Sequence, residues 1–484
     1  MKTKILRNAL SALNFLTALS IVVCAVVQRS TAQQTPQHHT YRLIDMGTLG
    51  GPRSYQSVNG PEDQIINDAG VVGFSADTAV PDPFAPNCFT DCFVSHATRW
   101  ENGVLTDLGA LPGFGNSSAS AGINALGWIT GESENGEIDP FSGLPEIRSV
   151  LWRNGEVIDL GTFGGNWSLP LTLNNAGVVV GFASNTIPFP SLLFPQSGTQ
   201  TRAYIWQNGV LTDLGTLGGP EAQAFSINQS GQIAGISFTS SIPNPTTGIP
   251  PLHAVLWDSG NMIDLGTLGG TYSGTGSCAF TAPACIGPPW VEEGTLLVNS
   301  LGQVMGTSNL AGDQVFHPFL WQRGTMQDLG TLGGDNGTGL WLTDQGEVVG
   351  QADVPKSPPG CEGDTCIHHA FLWKQGIMND LGTVGTDACS RADMMNSRGQ
   401  IVGISIHVCG SGNRKNPLNH AFLWENGGPM VDLNTLIPAN SGVYLFQAVK
   451  INSRGEIIAT GLPAGCSESF VCGRQYLLVP VGSP

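Results

Sequence analysis

The feature that most constrains this chain is a phrase that returns eight times. Asp-Leu-Gly-Thr-Leu-Gly-Gly, with variations, has its Asp at 45, 107, 159, 213, 264, 328, 380 and 432, at intervals of 51 to 64 residues. A second phrase, apolar-Asn-x-x-Gly-x-apolar-apolar-Gly, also recurs eight times with variants, as at Ile123–Gly131 and Met395–Gly403. A third ends in Trp100, Trp152, Trp206, Trp257, Trp321, Trp373 and Trp424, with a degenerate eighth copy at Gln475–Val479. Periods of this length signal a repeat architecture, so the 484 residues need not be divided into several ordinary domains.

Each unit reads as four short strands. In one unit, Gln223–Asn228 is strand one and Gln232–Ser237 is strand two. His253–Trp257 is strand three and Met262–Gly266 is strand four. Asn-Gly between apolar runs, at Asn102-Gly103, Asn154-Gly155 and Asn208-Gly209, is a strong hairpin cue. Past the N-terminal segment no sustained helical periodicity is present. The pattern therefore predicts an all-β fold, an eight-bladed β-propeller of four-stranded antiparallel blades. Residues 41–47 supply a strand four with nothing before it, and the C-terminus supplies strands one to three of a last unit. Pairing the two predicts a ring closed by the N-terminal strand, which hides both edges.

Residues 1–32 read as an export signal. Lys2, Lys4 and Arg7 form a basic start, Ala9–Val27 is apolar or small, and Ser30-Thr31-Ala32 offers a cleavage site before Gln33. An uncleaved anchor is the alternative, because the apolar run is long enough. Residues 33–40 are then a short linker and 41–484 the propeller, with no membrane span in the mature chain. Cleavage removes four cations and no acid, so the net charge of −17 becomes −21. Such acidity excludes a nucleic-acid partner. Ten cysteines remain after Cys24 is removed. They fall into near neighbours: Cys88/Cys92, Cys278/Cys285, Cys361/Cys366, Cys389/Cys409 and Cys466/Cys472. Five local disulfides and an extracellular or periplasmic location are the simple reading, with zinc half-sites as the alternative for the close pairs.

A residue present in every unit is expected to be structural. The Trp should pack between blades, the repeated Asp should accept backbone N–H groups in the turn after it, and the glycines should permit positive φ or close approach. The histidines His96, His253, His317, His369 and His420 occupy equivalent positions around a ring. They are too dispersed to share one metal ion. No cofactor is expected, and calcium is suggested only by acidity.

Several of these linked phrases resemble the HAF-repeat family of extracellular bacterial proteins. The closest phrases are His-Ala-Phe-Leu-Trp at 369–373 and 420–424, followed by the Asp-Leu-Gly and Asn-x-x-Gly phrases. The resemblance covers about residues 41–480. It implies an exported repeat protein without an established activity, and it offers no catalytic residues to carry over. Some members end in a sorting segment for the cell envelope. This chain ends in Val479–Pro484 without one, which favours release or periplasmic residence.

In a propeller the Asn-Gly and Asn-x-x-Gly turns share one face. The variable loops between strands two and three, and the crossings after Gly-Gly, share the other. Function is expected on that long-loop face. Tyr55, Trp167 and Tyr272, just after Gly-Gly, and Trp290 in the longest insertion look exposed there and are candidate ligand-binding residues, although they could instead pack loops onto blades. A non-catalytic binding module, a monomer with a glycan or protein partner, is the leading class. A polysaccharide-active hydrolase or lyase is the alternative. Glu132, Glu134 and Asp139, or Glu292 and Glu293, are candidates for its paired carboxylates. A calcium-dependent adhesion protein is third.

Overall fold

The computed structural model describes residues 38–482 apart from 57–63, 114, 246–247, 276–294, 356–365, 410–418 and 426. The predicted signal segment, Cys278, Cys285, Cys361, Trp290, Glu292 and Glu293 lie outside the described residues. Thr40–Val481 forms one compact unit.

Among the described residues its strands make six four-stranded antiparallel sheets and one nine-stranded sheet, numbered below as blades 1 to 8 with the nine-stranded sheet taken as blades 4 and 5. In blade 1 they are Gly50–Tyr55, Val72–Pro81, Phe93–Glu101 and Val104–Asp107. Blade 2 comprises Ser118–Ile123, Ile129–Ile138, Pro145–Arg153 and Glu156–Asp159, and blade 3 comprises Gly164–Leu173, Val179–Pro188, Thr199–Gln207 and Val210–Asp213. Blade 4 is Ala222–Ile227, Ile233–Phe238, Leu252–Asp258 and Asn261–Asp264. In blade 5 the first strand is in two pieces, Gly269–Gly274 and Leu297–Val298, before Val304–Leu310, Phe316–Gln322 and Thr325–Asp328. Blade 6 is Gly337–Leu342, Val348–Asp353, His368–Lys374 and Ile377–Asp380, and blade 7 is Cys389–Met395, Ile401–Ile406, His420–Trp424 and Val431–Asp432. Blade 8 takes Val443–Ile451, Ile457–Pro463 and Arg474–Val481 from the C-terminal end and Thr40–Asp45 from the N-terminal end. A single parallel bridge, Leu252 to Tyr272, joins the sheets of blades 4 and 5. The all-β propeller is therefore present, and its closing strand pairs Thr40 with Val481 through to Asp45 with Tyr476.

The repeated residues do the same local work in each unit. All eight Asp of the Asp-Leu-Gly phrase accept the N–H two residues on, from Gly47, Gly109, Gly161, Gly215, Gly266, Gly330, Gly382 and, in blade 7, Asn434. Asn102 and Gly103 have φ of 51° and 86°, the doubly left-handed turn that suits a tight hairpin. Trp100, Trp152, Trp206, Trp257, Trp321 and Trp373 are buried. Trp100 packs with Ile458 and Leu477 of blade 8, and so seals a seam between blades. Strand one carries an extra residue in most units, for example between Pro170 and Thr172 and between Gly339 and Trp341. The bulge pushes a carbonyl of strand one toward strand two. A Cβ on Gly181 or Gly350 would overlap the Leu169 or Thr338 carbonyl, which explains the last Gly of the Asn-x-x-Gly phrase.

The turns between strands one and two are also tied to each other. The side-chain amide of Asn67 donates to the Asn124 carbonyl at 3.1 Å, Asn124 to Asn174 at 3.2 Å and Asn174 to Asn228 at 3.3 Å. Asn228 then donates to Asn299 at 2.9 Å and Asn299 to Thr343 at 3.0 Å. From blade 7 the pattern resumes, with Asn396 to Asn452 at 2.9 Å and Asn452 back to Asn67 at 3.1 Å. The break falls at Thr343, which has no amide to pass on. Its hydroxyl does keep the local role of accepting an N–H within the turn, from Glu347.

Candidate functional site on the long-loop face

The opposite face is where the units differ. In blades 1–3 the expected loops between strands two and three are largely β-hairpin. The strand-two segments run for 10 residues each, to Pro81, Ile138 and Pro188. After a register shift, Pro81 pairs with Phe93, Ile138 with Pro145 and Pro188 with Thr199, so the strands rise beyond the blade. Three disulfides brace this face, Cys88–Cys92, Cys389–Cys409 and Cys466–Cys472, as paired in the sequence reading. Cys366 is also disulfide-bonded.

Carboxylates on this face mostly hold backbone. Asp77, Glu134 and Asp353 occupy the same position on strand two of blades 1, 2 and 6. They accept the N–H of Arg53 at 3.1 Å, Ser117 at 2.6 Å and Asn336 at 3.1 Å, where each chain enters strand one. In blade 3 the Ser184 hydroxyl does this for Trp167. Burial raises all three acids, Asp77 and Glu134 to about 7 and Asp353 to about 6, and nearby Asp91, Asp82 and Asp335 respectively push the same way. Asp139 accepts from Ser142, Asn166 and the Trp167 indole. Burial pushes its carboxyl up, but these bonds outweigh that and hold it below the usual carboxylate range. Glu221, fully buried, accepts from Ser191, Leu192 and both the N–H and hydroxyl of Thr201, pinning the blade 3 loop to blade 4.

Three of the four candidate aromatics, Tyr55, Trp167 and Tyr272, are buried rather than exposed, which fits the alternative that they pack loops onto blades. Tyr55, Trp167 and Tyr272 are each 5–6% accessible. The Tyr55 hydroxyl meets Thr90 at 3.1 Å, and the Arg53 guanidinium lies 4.4 Å from its ring centre. Trp167 packs edge-on to Phe194 and donates to Asp139. Tyr272 joins Phe238 and Ile249 and donates to the Ile249 carbonyl. The residues after Gly-Gly turn inward because the long loops fold back over them, a direction that a local pattern does not encode.

The histidines are explained by a spacing the repeat displays but the metal question obscures. His96, His253, His317 and His369 each bond, through Nδ1 at 2.8–3.0 Å, the repeated Asp 11 residues later. Arg202 and Arg474 play the same part toward Asp213 and Asp45. Burial works against ionisation of Asp107, Asp264 and Asp380. The histidine bond and the turn N–H outweigh it, and each carboxyl lies below its ordinary value.

Blade 7 alone breaks this pairing among the histidine-bearing blades. His420 bonds Asp387 at 2.9 Å, and His407 reaches the other oxygen of the same buried carboxylate at 3.3 Å. The Ser405 hydroxyl also donates to it, at 2.8 Å. Tyr444 of blade 8 stands edge-on to His420, with ring centres 6.2 Å apart, and its hydroxyl donates to the Asn419 carbonyl. Burial, then Asp432 and Asp387, push that hydroxyl up to about 12. Tyr444 also lines a cleft of about 390 Å³ between residues 439–444 and 462–466 of blade 8. Among the described residues no group of three metal-ligating side chains gathers about one point, and no helix is long and apolar enough to cross a membrane.

The fold and the split between a uniform turn face and a diversified loop face define the chain as a β-propeller. No protein-family model matches it, and no curated protein does. Solved propeller-containing structures are similar. The β-propeller domain of the Trilobed protease from Pyrococcus furiosus is 12% identical, with 66% of this chain and 82% of that one covered at a TM-score of 0.37. A polysaccharide lyase of a family described as PL25, an ulvan lyase, is 8% identical over 90% of this chain and 95% of its own, at 0.38. The Trypanosoma rangeli sialidase is 9% identical over 92% and 94%, at 0.32. Likenesses this distant do not bear on ligand or chemistry.

Proposed function

We propose that this chain is an exported, non-catalytic binding module that presents its long-loop face to a glycan or protein partner. One observation carries the reading. Asp139, one of the carboxylates the sequence offers for hydrolysis, is occupied in holding the scaffold by five donors, from Phe141, Ser142 (N–H and hydroxyl), Asn166 and Trp167, and Glu134 spends one oxygen on the Ser117 N–H. A general acid or base must instead be free to reach a substrate proton. The N-terminal sequence pattern, the disulfides and the resemblance to HAF-repeat proteins support export. A glycan array on the purified protein, with and without calcium, combined with product analysis, tests the proposal. Retained binding without product is expected. Product formation from any bound polysaccharide would move the assignment to an enzyme.

A further inference from the structure

Exposed apolar side chains are ordinary when scattered and informative when they gather on one surface. On the long-loop face they gather over blades 1–4. Val80, Ile138, Phe141, Ile187 and Ile242 are 46–75% exposed. The four aliphatic ones stand at the outer end of strand two or just past it, one or two residues before a proline: Pro81, Pro140, Pro188 and Pro243. A proline there holds the chain extended and offers no N–H, so each tip leaves the ladder. The pattern does not by itself force exposure. Val354-Pro355 and Leu462-Pro463 stand at the same end of strand two in blades 6 and 8, and there the aliphatic side chain is buried.

The loops that carry these side chains are packed into one layer. From blade 1, Phe89 joins the cluster of Ile147, Trp167 and Phe194 in blades 2 and 3, and a Cβ on Gly115 would fall 2.6 Å from Pro83. From blade 2, the Phe141 ring rests on backbone of the blade 3 hairpin, where a Cβ on Gly198 would fall 2.5 Å from it. Gly198 precedes Thr199, which pairs with Pro188, so Phe141 lies over the hairpin that carries Ile187. Ile138 pairs with Pro145 across the hairpin that carries Phe141. From blade 3, Leu192 and Leu193 pack on Phe238 and Ile249 of blade 4, and Ser191 donates to Glu221 at 2.6 Å. Ile138, Phe141 and Ile187 therefore form the middle of an apolar arc, with Val80 and Ile242 at its two ends.

We propose that this arc is the docking surface for a protein partner that presents apolar side chains flanked by Lys or Arg. The charge of the surface carries the second half of that statement. Residues 77–95, 133–148, 184–202 and 238–252 hold seven acids and two bases. Both bases are already taken, Arg148 by Glu146 at 3.1 Å and Arg202 by Asp213 at 2.9 Å. Even with Asp77 and Glu134 neutral the acids remain in excess, and Glu137, beside Ile138, is exposed. A basic partner is drawn to such a face, and an anionic bilayer is repelled. A second copy of this chain, docked by the same patch, would set the acidic rim against itself. Val and Ile offer a sugar neither a hydrogen bond nor a flat ring. This inference rests on the reading of the long-loop face as a binding surface and names the partner class and its place.

The test uses fluorescein-labelled peptides of alternating Leu and Lys and of alternating Leu and Glu, with phosphatidylcholine vesicles as a third probe. Binding to the full chain is followed by fluorescence anisotropy for the peptides and by co-sedimentation for the vesicles. Two double variants are compared, each checked for folding by thermal melting. Phe141→Ser with Ile187→Ser removes the middle of the arc, and Leu126→Ser with Leu301→Ser removes two equally exposed leucines from the turn face. The Leu/Lys peptide should bind. The arc variant should weaken it by about tenfold or more and the turn-face variant should leave it unchanged. Equal losses in both variants, or no loss in the arc variant, would overturn the site while leaving the binding-module reading intact. Equal binding of the Leu/Glu peptide would overturn the charge preference. Vesicle binding that the arc variant abolishes would replace the protein partner by a lipid surface, and binding of no probe would overturn the inference as a whole. Turnover of a glycan in the array described above would overturn the binding-module reading instead.

Discussion

The two faces of this propeller spend their polar groups in opposite ways. On the turn face one bond is made again and again: an Asn amide reaches the next blade's carbonyl, with the Asn oxygen capping its own turn, as Asn452 does for Arg454 and Glu456. On the loop face four blades share one bond from strand two, made by Asp77, Glu134, Ser184 and Asp353, and beyond it individual blades use different acids: Glu221 in blade 4, Asp139 in blade 2, Asp387 in blade 7. A ring of identical links distributes load around the whole circle and leaves little freedom to change one unit. A face built from separate solutions allows each blade to vary without disturbing its neighbours. The loop face can therefore acquire a local feature such as the Tyr444 cleft.

The comparison can be broken most severely at the closure. Removing residues 40–45 exposes the edge of Arg474–Val481 and the seam where Tyr41 and Tyr476 are buried. Loss of cooperative unfolding by circular dichroism is expected across the whole domain, and an unchanged melt would show that the ring does not depend on closure. Next in size is Asn452→Ala. It strips the donor to Asn67 and the acceptor of two turn N–H groups from a side chain that is 2% accessible. Orphaning buried partners costs about 1–3 kcal/mol apiece, so urea denaturation should show a global loss of several kcal/mol. An Asp139→Ala change on the loop face should instead act locally, as increased proteolysis at residues 139–144 with a smaller fall in the midpoint.

A further expectation concerns pH and separates the two kinds of carboxylate. Asp77, Glu134 and Asp353 hold protons more tightly folded than unfolded. Between about pH 4 and pH 7 the native state therefore binds more protons, and stability falls as pH rises through that window. Asp107, Asp264 and Asp380 have the opposite sign. Their contribution is complete above their ordinary value of 3.8 and is lost as pH falls through their lower folded values. Melting followed from pH 3 to pH 8 should show a maximum in mildly acidic solution. Asp77→Asn should flatten the decline toward pH 7, and an undiminished slope would remove Asp77 as its source. The smallest effect is a repair. Thr343→Asn restores the missing amide facing blade 7 and should stabilise by about 1 kcal/mol. No gain would mean that Asn396 and Thr343 do not approach as the other pairs do.

Much of this architecture was legible in the residues. Strand order, the Asn-Gly turns and the Trp seams follow from local patterns that act within a few positions. The loop face was not legible in the same way. Trp167 carries the same local signal whether it faces solvent or Asp139, and only the path of residues 139–144 decides it. The histidine–aspartate spacing of 11 was visible in the repeat, because a hairpin fixes which residues face each other. The pairing of His420 with Asp387, 33 residues apart, follows no such rule.

By itself the sequence determined the repeating unit, its four strands and the strand that closes the ring. These depend on alternation, turn chemistry and pairing between adjacent segments, which are short-range and recur in each copy. The tertiary structure alone decided that the turn-face asparagines link neighbouring blades, that Tyr55, Trp167 and Tyr272 are buried, and that His407, His420, Asp387 and Tyr444 come together. Those outcomes depend on how separate loops and blades approach one another in space, and no local residue pattern specifies that approach.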